Sequence, residues 1–543
     1  MADNIVQIKS LPGIKRDGTK FEGDQYVDGQ WVRFQRGLPR KMGGYRSINK
    51  YLRGLPRTLH EYTLDLLTYV HAGSANLLEQ FFIDGGYNTS VITDRTPSTL
   101  AASAANLWQF EVDTASGSGL QIIAQVAPNL NCICNSDGGQ IFYGDAFATT
   151  PLTEITNFPA IYSATGGVVA LHPYMVAFGT DGFVMWSTPG DPTDFTGTGA
   201  GNAYVTGQKI VRGMPLRGGP GNSPSGLLWS ADSLIRMSYT GDTTAAFQFD
   251  TISAQSSILS AQCVIEYDGV FYWIGTDRFL LFNGVVREIE NNMNINFFFD
   301  NLNYEQRQKV FAMKVPRFGE IWWCFPFGDS TEPNHAVIYN VRENTWYDTA
   351  LPNEGRGAGL FPAVFRKPLM TGVVPTFTDT TRRITQADDI RIIEAPPGVI
   401  INRITEDSDV PQYRLWIHEV GTDEIDGLNV NPIQSYFETA DLSLPVMSQT
   451  NKALQVLLME PDFVQSGPLT VQAMGRANAR APEVSGEIKT IVETPQTPQE
   501  QVIYFKEQRR ELRFRFESNC VGGDYQMGLT LAHVQPGDGT VIG

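Results

Sequence analysis

The sequence predicts an almost entirely β protein, built around a β-propeller and followed by a second β domain. Three observations predict this: a hairpin motif returns about every 40–50 residues, helical patterning is scarce, and glycines and prolines fall between short apolar runs. The chain has 543 residues, more than the roughly 250–300 that one ordinary hydrophobic core serves. A propeller is one of the few single units that takes up most of such a length.

The repeated motif reads as strand, tight turn, strand. Its clearest copies are residues 178–186 (FGTDGFVMW) and 274–282 (IGTDRFLLF), with weaker copies at 134–143 and 229–237. The turn aspartates are 44, 51 and 45 residues apart, close to the length of one four-stranded propeller blade. These aspartates are Asp137, Asp181, Asp232 and Asp277.

The turn chemistry supports a hairpin in each copy. Aspartate accepts hydrogen bonds from nearby backbone amides, and a neighbouring glycine tolerates positive φ. Fainter copies at 73–77 and 318–323 extend the series to about six blades over residues 59–374. The alternative left open is a set of unrelated hairpins in a β-sandwich.

Three regions follow from this pattern. Residues 1–58 form a basic amino-terminal docking segment, 59–387 the propeller, and 388–543 a carboxy-terminal β-rich domain. The best helical pattern, at 301–313, predicts a short amphipathic helix that connects two blades.

The charge is strongly acidic and unevenly distributed. The net charge is −17, which disfavours static binding to nucleic acid, yet residues 1–60 carry +7 and residues 61–300 carry −15. A basic segment on an acidic body suggests docking onto an acidic partner or another copy of the chain, although a merely solvated basic surface explains the charge equally well. The candidate contacts are Arg33, Arg36, Arg40 and Lys41.

No motif predicts a catalytic, cofactor or metal site. His418 and Glu419, together with Asp423, suggest a metal site. His418 and Glu419 are, however, neighbours on a predicted strand that point to opposite faces, and no second histidine lies near, so a polar core role is favoured over metal binding. Cys132 and Cys134 lack the second cysteine pair of a zinc site. The start of the chain lacks a signal-peptide pattern, and no apolar run reaches the roughly 18 residues of a membrane span, so we expect a soluble protein made in the cytoplasm.

Several segments resemble the tail nozzle, hub or packaged-DNA-stabilisation proteins of short-tailed bacteriophages. The most specific part of the resemblance is WIHEVGTD at 416–423, which leads to SYFET at 435–439. The resemblance also covers the basic segment at 13–45 and the segments 186–195, 319–323 and 337–346. It implies a non-enzymatic virion protein of the tail, synthesised in the host cytoplasm, that forms a ring of six copies.

The resemblance also implies the partners. The ring would attach below the portal through an adaptor ring, retain packaged DNA without binding it specifically, conduct it during ejection, and carry fibres or spikes outside. The rival function is a propeller that binds or cleaves polysaccharide, which would need two carboxylates about 5–10 Å apart in a cleft. Candidates such as Asp181 and Asp277 are explained by their turns, and Thr180 breaks the spacing of a sialidase Asp-box.

Overall fold

A computed structural model describes most of the chain. The described residues are 4–64, 67–84, 86, 89–101, 107–113, 121–127, 140–146, 148–157, 166–216, 224–242, 245–362, 367–377, 411–442, 453–478 and 480–537.

The amino-terminal segment contains short strands that all join sheets formed elsewhere in the chain or each other. They are β1 (Asn4–Gln7), β2 (Leu11–Ile14), β3 (Gln25–Tyr26), β4 (Asp28–Gln30), β5 (Val32–Gln35), β6 (Leu38–Lys41) and β7 (Tyr45–Leu52). Strands β2 and β3 form a parallel pair.

Six four-stranded antiparallel sheets then follow along the chain, each made of four consecutive strands, and we name them blades 1 to 6. Blade 1 contains β8 (Pro56–Leu64), β9 (Leu67–Ser74), β10 (Leu78–Ile83) and β11 (Thr93–Asp94). Blade 2 contains β12 (Leu107–Asp113), β13 (Gln121–Ala127), β14 (Ile141–Asp145) and β15 (Thr153–Glu154). Blade 3 contains β16 (Gly167–Leu171), β17 (Tyr174–Phe178), β18 (Phe183–Trp186) and β19 (Gly201–Tyr204).

Blades 4 to 6 repeat this order. Blade 4 contains β20 (Ile210–Pro215), β21 (Ser225–Ser230), β22 (Leu234–Tyr239) and β23 (Phe247–Ser253). Blade 5 contains β24 (Ile265–Tyr267), β25 (Val270–Ile274), β26 (Phe279–Phe282) and β27 (Val286–Glu288). Blade 6 contains β28 (Phe311–Val315), β29 (Glu320–Phe325), β30 (His335–Asn340) and β31 (Thr345–Ala350).

A seventh, six-stranded sheet closes the ring. Blade 7 is formed by β32 (Arg356–Leu360), β33 (Leu369–Phe377), β34 (Pro411–His418), then the amino-terminal β7, β35 (Glu424–Asp426) and β36 (Asn429–Asn431). Strand β7 runs antiparallel to β34, with Tyr45 opposite His418. The innermost strand β32 contacts β8 of blade 1. Because the last blade takes a strand from the start of the chain, the ring is fastened by hydrogen bonds between distant segments.

Glycine is required where the first and last blades meet. A Cβ atom at Gly357 would lie 2.8 Å from the Pro56 carbonyl oxygen, closer than real contacts allow. Tryptophans fill other gaps between blades: Trp108 of blade 2 donates its indole N–H to Ser74 O of blade 1 (2.7 Å), and Trp323 of blade 6 donates to Cys263 O, just before blade 5 (2.9 Å).

The second β domain contains three sheets. Its carboxy-terminal strands are β37 (Ser435–Glu438), β38 (Leu454–Glu460), β39 (Phe463–Ser466), β40 (Leu469–Arg476), β41 (Val484–Ile491), β42 (Ile503–Arg509), β43 (Glu511–Ser518), β44 (Asp524–Met527) and β45 (Leu531–Pro536). The sheet orders are β1-β45-β38-β42, β4-β37-β43-β40-β41 and β39-β44-β6-β5. Every sheet therefore includes at least one amino-terminal strand.

One hydrophobic core joins this domain to the propeller. It includes Val32 and Phe514 of the second β domain together with Trp322 of blade 6 and Trp416 of blade 7, all at most 2 % exposed. The apolar faces of two blades are thus covered by the second β domain instead of by water.

The sequence predicted the all-β propeller and the additional β domain, and the sheet topology confirms that fold class. In detail, the described residues form seven blades where about six were expected. Blade 7 also crosses the expected boundary at residue 388, because β34 belongs to the propeller. The predicted helix at 301–313 is instead a helix α1 at Ile295–Asn301 followed by a 3₁₀ helix at Tyr304–Lys309, and Phe311 already begins β28.

Candidate functional site

The turn aspartates occupy one recurring place in the fold. Asp181, Asp232 and Asp277 each lie between the second and third strands of blades 3, 4 and 5. Asp181 adopts a left-handed conformation with φ of 55°. The Asp232 carboxylate accepts a hydrogen bond from Ser230 Oγ (3.0 Å), and Asp277 pairs with the adjacent Arg278 (3.1 Å). Asp137 lies outside the described residues. The Asp232 and Asp277 carboxylates therefore have local contacts, and Asp181 has the backbone conformation of a tight turn.

The basic cluster is not the exposed docking surface that the sequence suggested. Arg33 and Lys41 are 1 % and 2 % exposed, and Lys41 Nζ donates to Gly523 O at 2.7 Å. Arg40 is half-buried beside Gln35, and only Arg36 is well exposed. The expectation was wrong for Arg33 and Lys41 because acidic and carbonyl groups far along the chain enclose them.

Arg33 is the centre of a buried ionic network. Its guanidinium contacts Glu320 of blade 6 (2.9 Å) and donates to Glu419, which follows blade 7 (2.8 Å). Tyr347 Oη and Trp322 Nε1 donate to the two oxygens of Glu320, at 2.7 and 2.9 Å. Burial raises the pKa of Glu320, whereas Arg33 favours its charged form. One cation from the second β domain thus holds two carboxylates of the propeller.

A second network lies beside it. Arg16 Nε and one Nη atom donate to the two oxygens of Asp348 in β31, at 2.9 and 3.0 Å, and His335 Nε2 lies 3.0 Å from the same carboxylate. Arg16 also contacts Asp28. Asp348 is fully buried; burial opposes its charge, but Arg16 and His335 outweigh this effect and lower its pKa. Bidentate geometry of this kind fixes orientation as well as charge.

Further hydrogen bonds join the amino-terminal segment to the propeller. The Gln30 side chain exchanges two hydrogen bonds with the backbone of Ala350, at 3.1 and 3.0 Å, where a further strand would otherwise pair. Asp17 accepts from the amides of Asn296 and Phe297 at the start of α1, at 2.9 and 2.8 Å. The amino-terminal segment is therefore fixed to blade 6 at Gln30 and to α1, which precedes that blade, at Asp17.

The three residues considered as candidate metal ligands each bind a different partner within the protein. His418 accepts from Arg356 Nε (3.1 Å), Glu419 pairs with Arg33, and Asp423 accepts from the Gly522 amide (2.8 Å). Burial holds the pKa of His418 well below its usual value. In the parts of the chain that the structure describes, no three metal-ligating side chains come together. Among those same residues, no helix has the length and apolar character of a membrane span.

A cavity of about 270 Å³ lies at the centre of the ring, between the innermost strands of blades 1, 4, 5, 6 and 7. Gln262 Nε2 donates to Thr58 Oγ1 across it, which joins the start of blade 5 to blade 1. No sequence motif marks Arg212, which lines the cavity, or His60 and Glu111, which interact with it electrostatically. Their one sequence signal is a charged or polar side chain inside an otherwise apolar inner strand, as in IVRGM at 210–214.

No family model matches the chain, and no curated protein matches it. Solved structures of low similarity include the structure of U3-55K, at 6 % identity and a TM-score of 0.37 over 69 % of this chain and 98 % of that one. The crystal structure of the mitotic checkpoint complex matches at 11 % identity and a TM-score of 0.36, over 60 % and 91 %. BBS1N in complex with ARL6DN matches at 11 % and 0.36, over 61 % and 92 %. These similarities are too weak to support any inference about function.

Proposed function

We propose that this chain is a structural, non-enzymatic component of a short-tailed bacteriophage tail, a nozzle or hub ring that retains packaged DNA and conducts it during ejection. The observation that carries the proposal, beside the resemblance of the sequence, is the buried junction made by Arg16 and Arg33. It joins a propeller and a second β domain through one shared core. A part that transmits force between rings needs such a rigid two-domain body.

The DNA path in this proposal lies between copies and not through a propeller. The central cavity has a volume of only about 270 Å³, and the Gln262–Thr58 bridge crosses it. A duplex, whose major groove alone is about 12 Å wide, does not fit there. Several copies, six in this proposal, must therefore surround the lumen.

The acidic net charge suits a conduit. Affinity for nucleic acid rests largely on lysine and arginine that neutralise phosphates, and this chain has 41 of them against 58 aspartates and glutamates. Many basic side chains of the amino-terminal segment are paired within the chain, as Arg57 is with Glu332. DNA phosphates therefore gain little binding free energy from contact with such a surface.

Electron microscopy of the purified protein, alone and with virion tails, tests the proposal. We expect a closed ring of copies with a lumen of about 20 Å or wider, located below the adaptor. A monomer that hydrolyses or binds surface polysaccharide would overturn it and support the rival function.

A charge-reversal variant tests attachment separately. Arg36→Glu with Arg40→Glu alters the two residues of the basic cluster that stay accessible, so we expect weaker joining to the adaptor ring with an unchanged melting temperature. Lys20→Glu, also exposed in the same segment, is the matched control. If both variants attach to the adaptor ring equally well, Arg36 and Arg40 are not part of the contact.

A further inference from the structure

Arg212 lies at the centre of the propeller without a hydrogen-bond partner for its side chain among the described residues. It is on β20, the innermost strand of blade 4, and lines the central cavity. Its Nε atom is buried without a hydrogen-bond partner, and its guanidinium donates to none of the residues that the structure describes. An arginine carries five N–H donors in a fixed fork, so Arg212 has donors available for a ligand in the cavity.

Other interior arginines of the propeller differ. Arg95 donates to Gln80 Oε1 (2.9 Å) and to the Asp145 carbonyl (2.8 Å), and Arg356 donates to Pro352 O (2.7 Å) and to His418. Buried polar groups are normally bonded in this way, and the exceptions call for an explanation such as a ligand or ordered water. The Nε atom of Arg212 is such an exception.

Glu111, the acid that acts on Arg212 electrostatically, is not paired with it. Glu111 of blade 2 acts on Arg212 electrostatically, but no ion pair joins the two side chains, and the Glu111 carboxylate interacts with the backbone amide of Ala170 in blade 3. Burial lowers the pKa of Arg212, with Glu111 opposing the shift. His60 of blade 1, close enough to sense the Arg212 charge, also has a buried Nδ1 atom without a partner.

The rest of the cavity wall combines apolar surface with a second cation. Lys314 Nζ donates one bond to the Glu266 carbonyl (3.0 Å), while the Glu266 carboxylate accepts from the Gly269 amide (2.8 Å) in its own hairpin. The apolar part of the wall comprises Leu59, Met214, Val264, Ile265, Leu360 and Phe361. Such a wall suits a ligand with an anionic end and an apolar body.

We propose that the propeller channel binds a small organic carboxylate, with the Arg212 guanidinium holding the carboxylate and the apolar wall holding its body. Arginine and a carboxylate match in bidentate geometry, which would satisfy donors that the chain leaves free. The cavity volume limits the ligand to a small acid.

Calorimetric titration of the full-length protein with acetate, hexanoate, benzoate and citrate tests this, with chloride as the reference anion. We expect hexanoate or benzoate to bind, Arg212→Met to weaken binding at least about tenfold, and Arg212→Lys to retain part of it. Arg36→Met, an exposed arginine outside the channel, is the matched control and should bind as the native protein does.

Melting temperature gives an independent readout. A binding arginine without its ligand contributes no bonds to the fold, so Arg212→Met should melt no lower than the native protein in buffer, yet lose the stabilisation that the carboxylate provides. The proposal is overturned if no acid of the panel binds more tightly than chloride, if Arg212→Met binds them equally, or if that variant melts markedly lower without ligand.

Discussion

Arg33 on an amino-terminal strand and Glu320 in blade 6 form an ion pair of 2.9 Å in which both side chains are at most 1 % exposed. The two residues belong to different domains, and neither has water as an alternative partner. The stability of the whole body therefore depends on a contact between segments far apart in the chain.

Replacing Arg33 should loosen this junction. Arg33→Met leaves the Glu320 and Glu419 charges without their cation, and breaking a buried pair in this way costs about 3–5 kcal/mol. Urea unfolding followed by tryptophan fluorescence measures the loss, with the exposed Arg36→Met as the control. Equal unfolding midpoints for both variants would show that the network contributes nothing to stability.

Acid should destabilise the propeller through His60. Burial lowers the pKa of His60 to about 4, from an unfolded value near 6.5, so the folded state resists protonation. Its contribution is complete above pH 6.5 and is lost as the pH falls through 4, by up to about 3 kcal/mol. His60→Asn should flatten this dependence in denaturation series between pH 7 and 4. His172→Asn, at an exposed position, should not.

Glu111 should lower the stability of the protein as the pH rises, whereas His60 lowers it as the pH falls. Burial raises the pKa of Glu111 to about 7, with Arg212 opposing, so its folded-state pKa exceeds the unfolded value of about 4.5. The folded state therefore loses stability as the pH rises from 4.5 to 7. Glu111→Gln should be more stable than the native protein at pH 8, by up to about 3 kcal/mol, and equal to it near pH 4. The exposed Glu288→Gln is the control, and a stabilisation that does not vary with pH would contradict this mechanism.

Gly357 should not tolerate even one methyl group. Gly357→Ala would place Cβ 2.8 Å from the Pro56 carbonyl oxygen and 2.9 Å from Leu55 Cδ1, where blades 7 and 1 meet. Overpacking of this kind costs about 1–3 kcal/mol. Gly207→Ala, with no atom within 4 Å of the new Cβ, is the matched control in thermal melts. Indistinguishable melting curves for the two variants would mean that blades 7 and 1 accommodate the added methyl group without loss of stability.

Free duplex DNA should bind weakly at about 0.15 M salt, because few basic side chains remain available to neutralise phosphates. Any residual, salt-sensitive binding must come from exposed residues such as Arg36, since Arg33 and Lys41 are enclosed. Electrophoretic mobility shifts across a salt series measure this. Tight binding that Arg36→Glu with Arg40→Glu leaves unchanged would contradict both the weak-binding expectation and its assigned source.

The sequence predicted features that depend on neighbouring residues. The hairpin turns at Asp181, Asp232 and Asp277 follow from turn chemistry within a few residues, and their spacing identified the propeller. Blade 7 could not be found in this way. Its strands β7 and β34 pair Tyr45 with His418, and no local pattern encodes a partner so distant.

The burial of Arg33 was unpredictable for the same reason. Its charge looks like a surface feature until Glu320, 287 residues away, is brought against it. Arg212 was missed because one arginine among apolar residues does not show which face of an inner strand it occupies. In both cases, the information lies in contacts between blades or domains.

Closure of the ring by β7 imposes an order on folding during synthesis. A ribosome that has made the first six blades has not yet supplied β34, so β7 waits without its antiparallel neighbour until residues 411–418 emerge. Until then β7 is an unpaired strand that invites pairing with other chains, and the ring is open between blades 6 and 1. A chain truncated before residue 411 would remain in that state permanently, so we expect it to aggregate instead of folding as a smaller propeller.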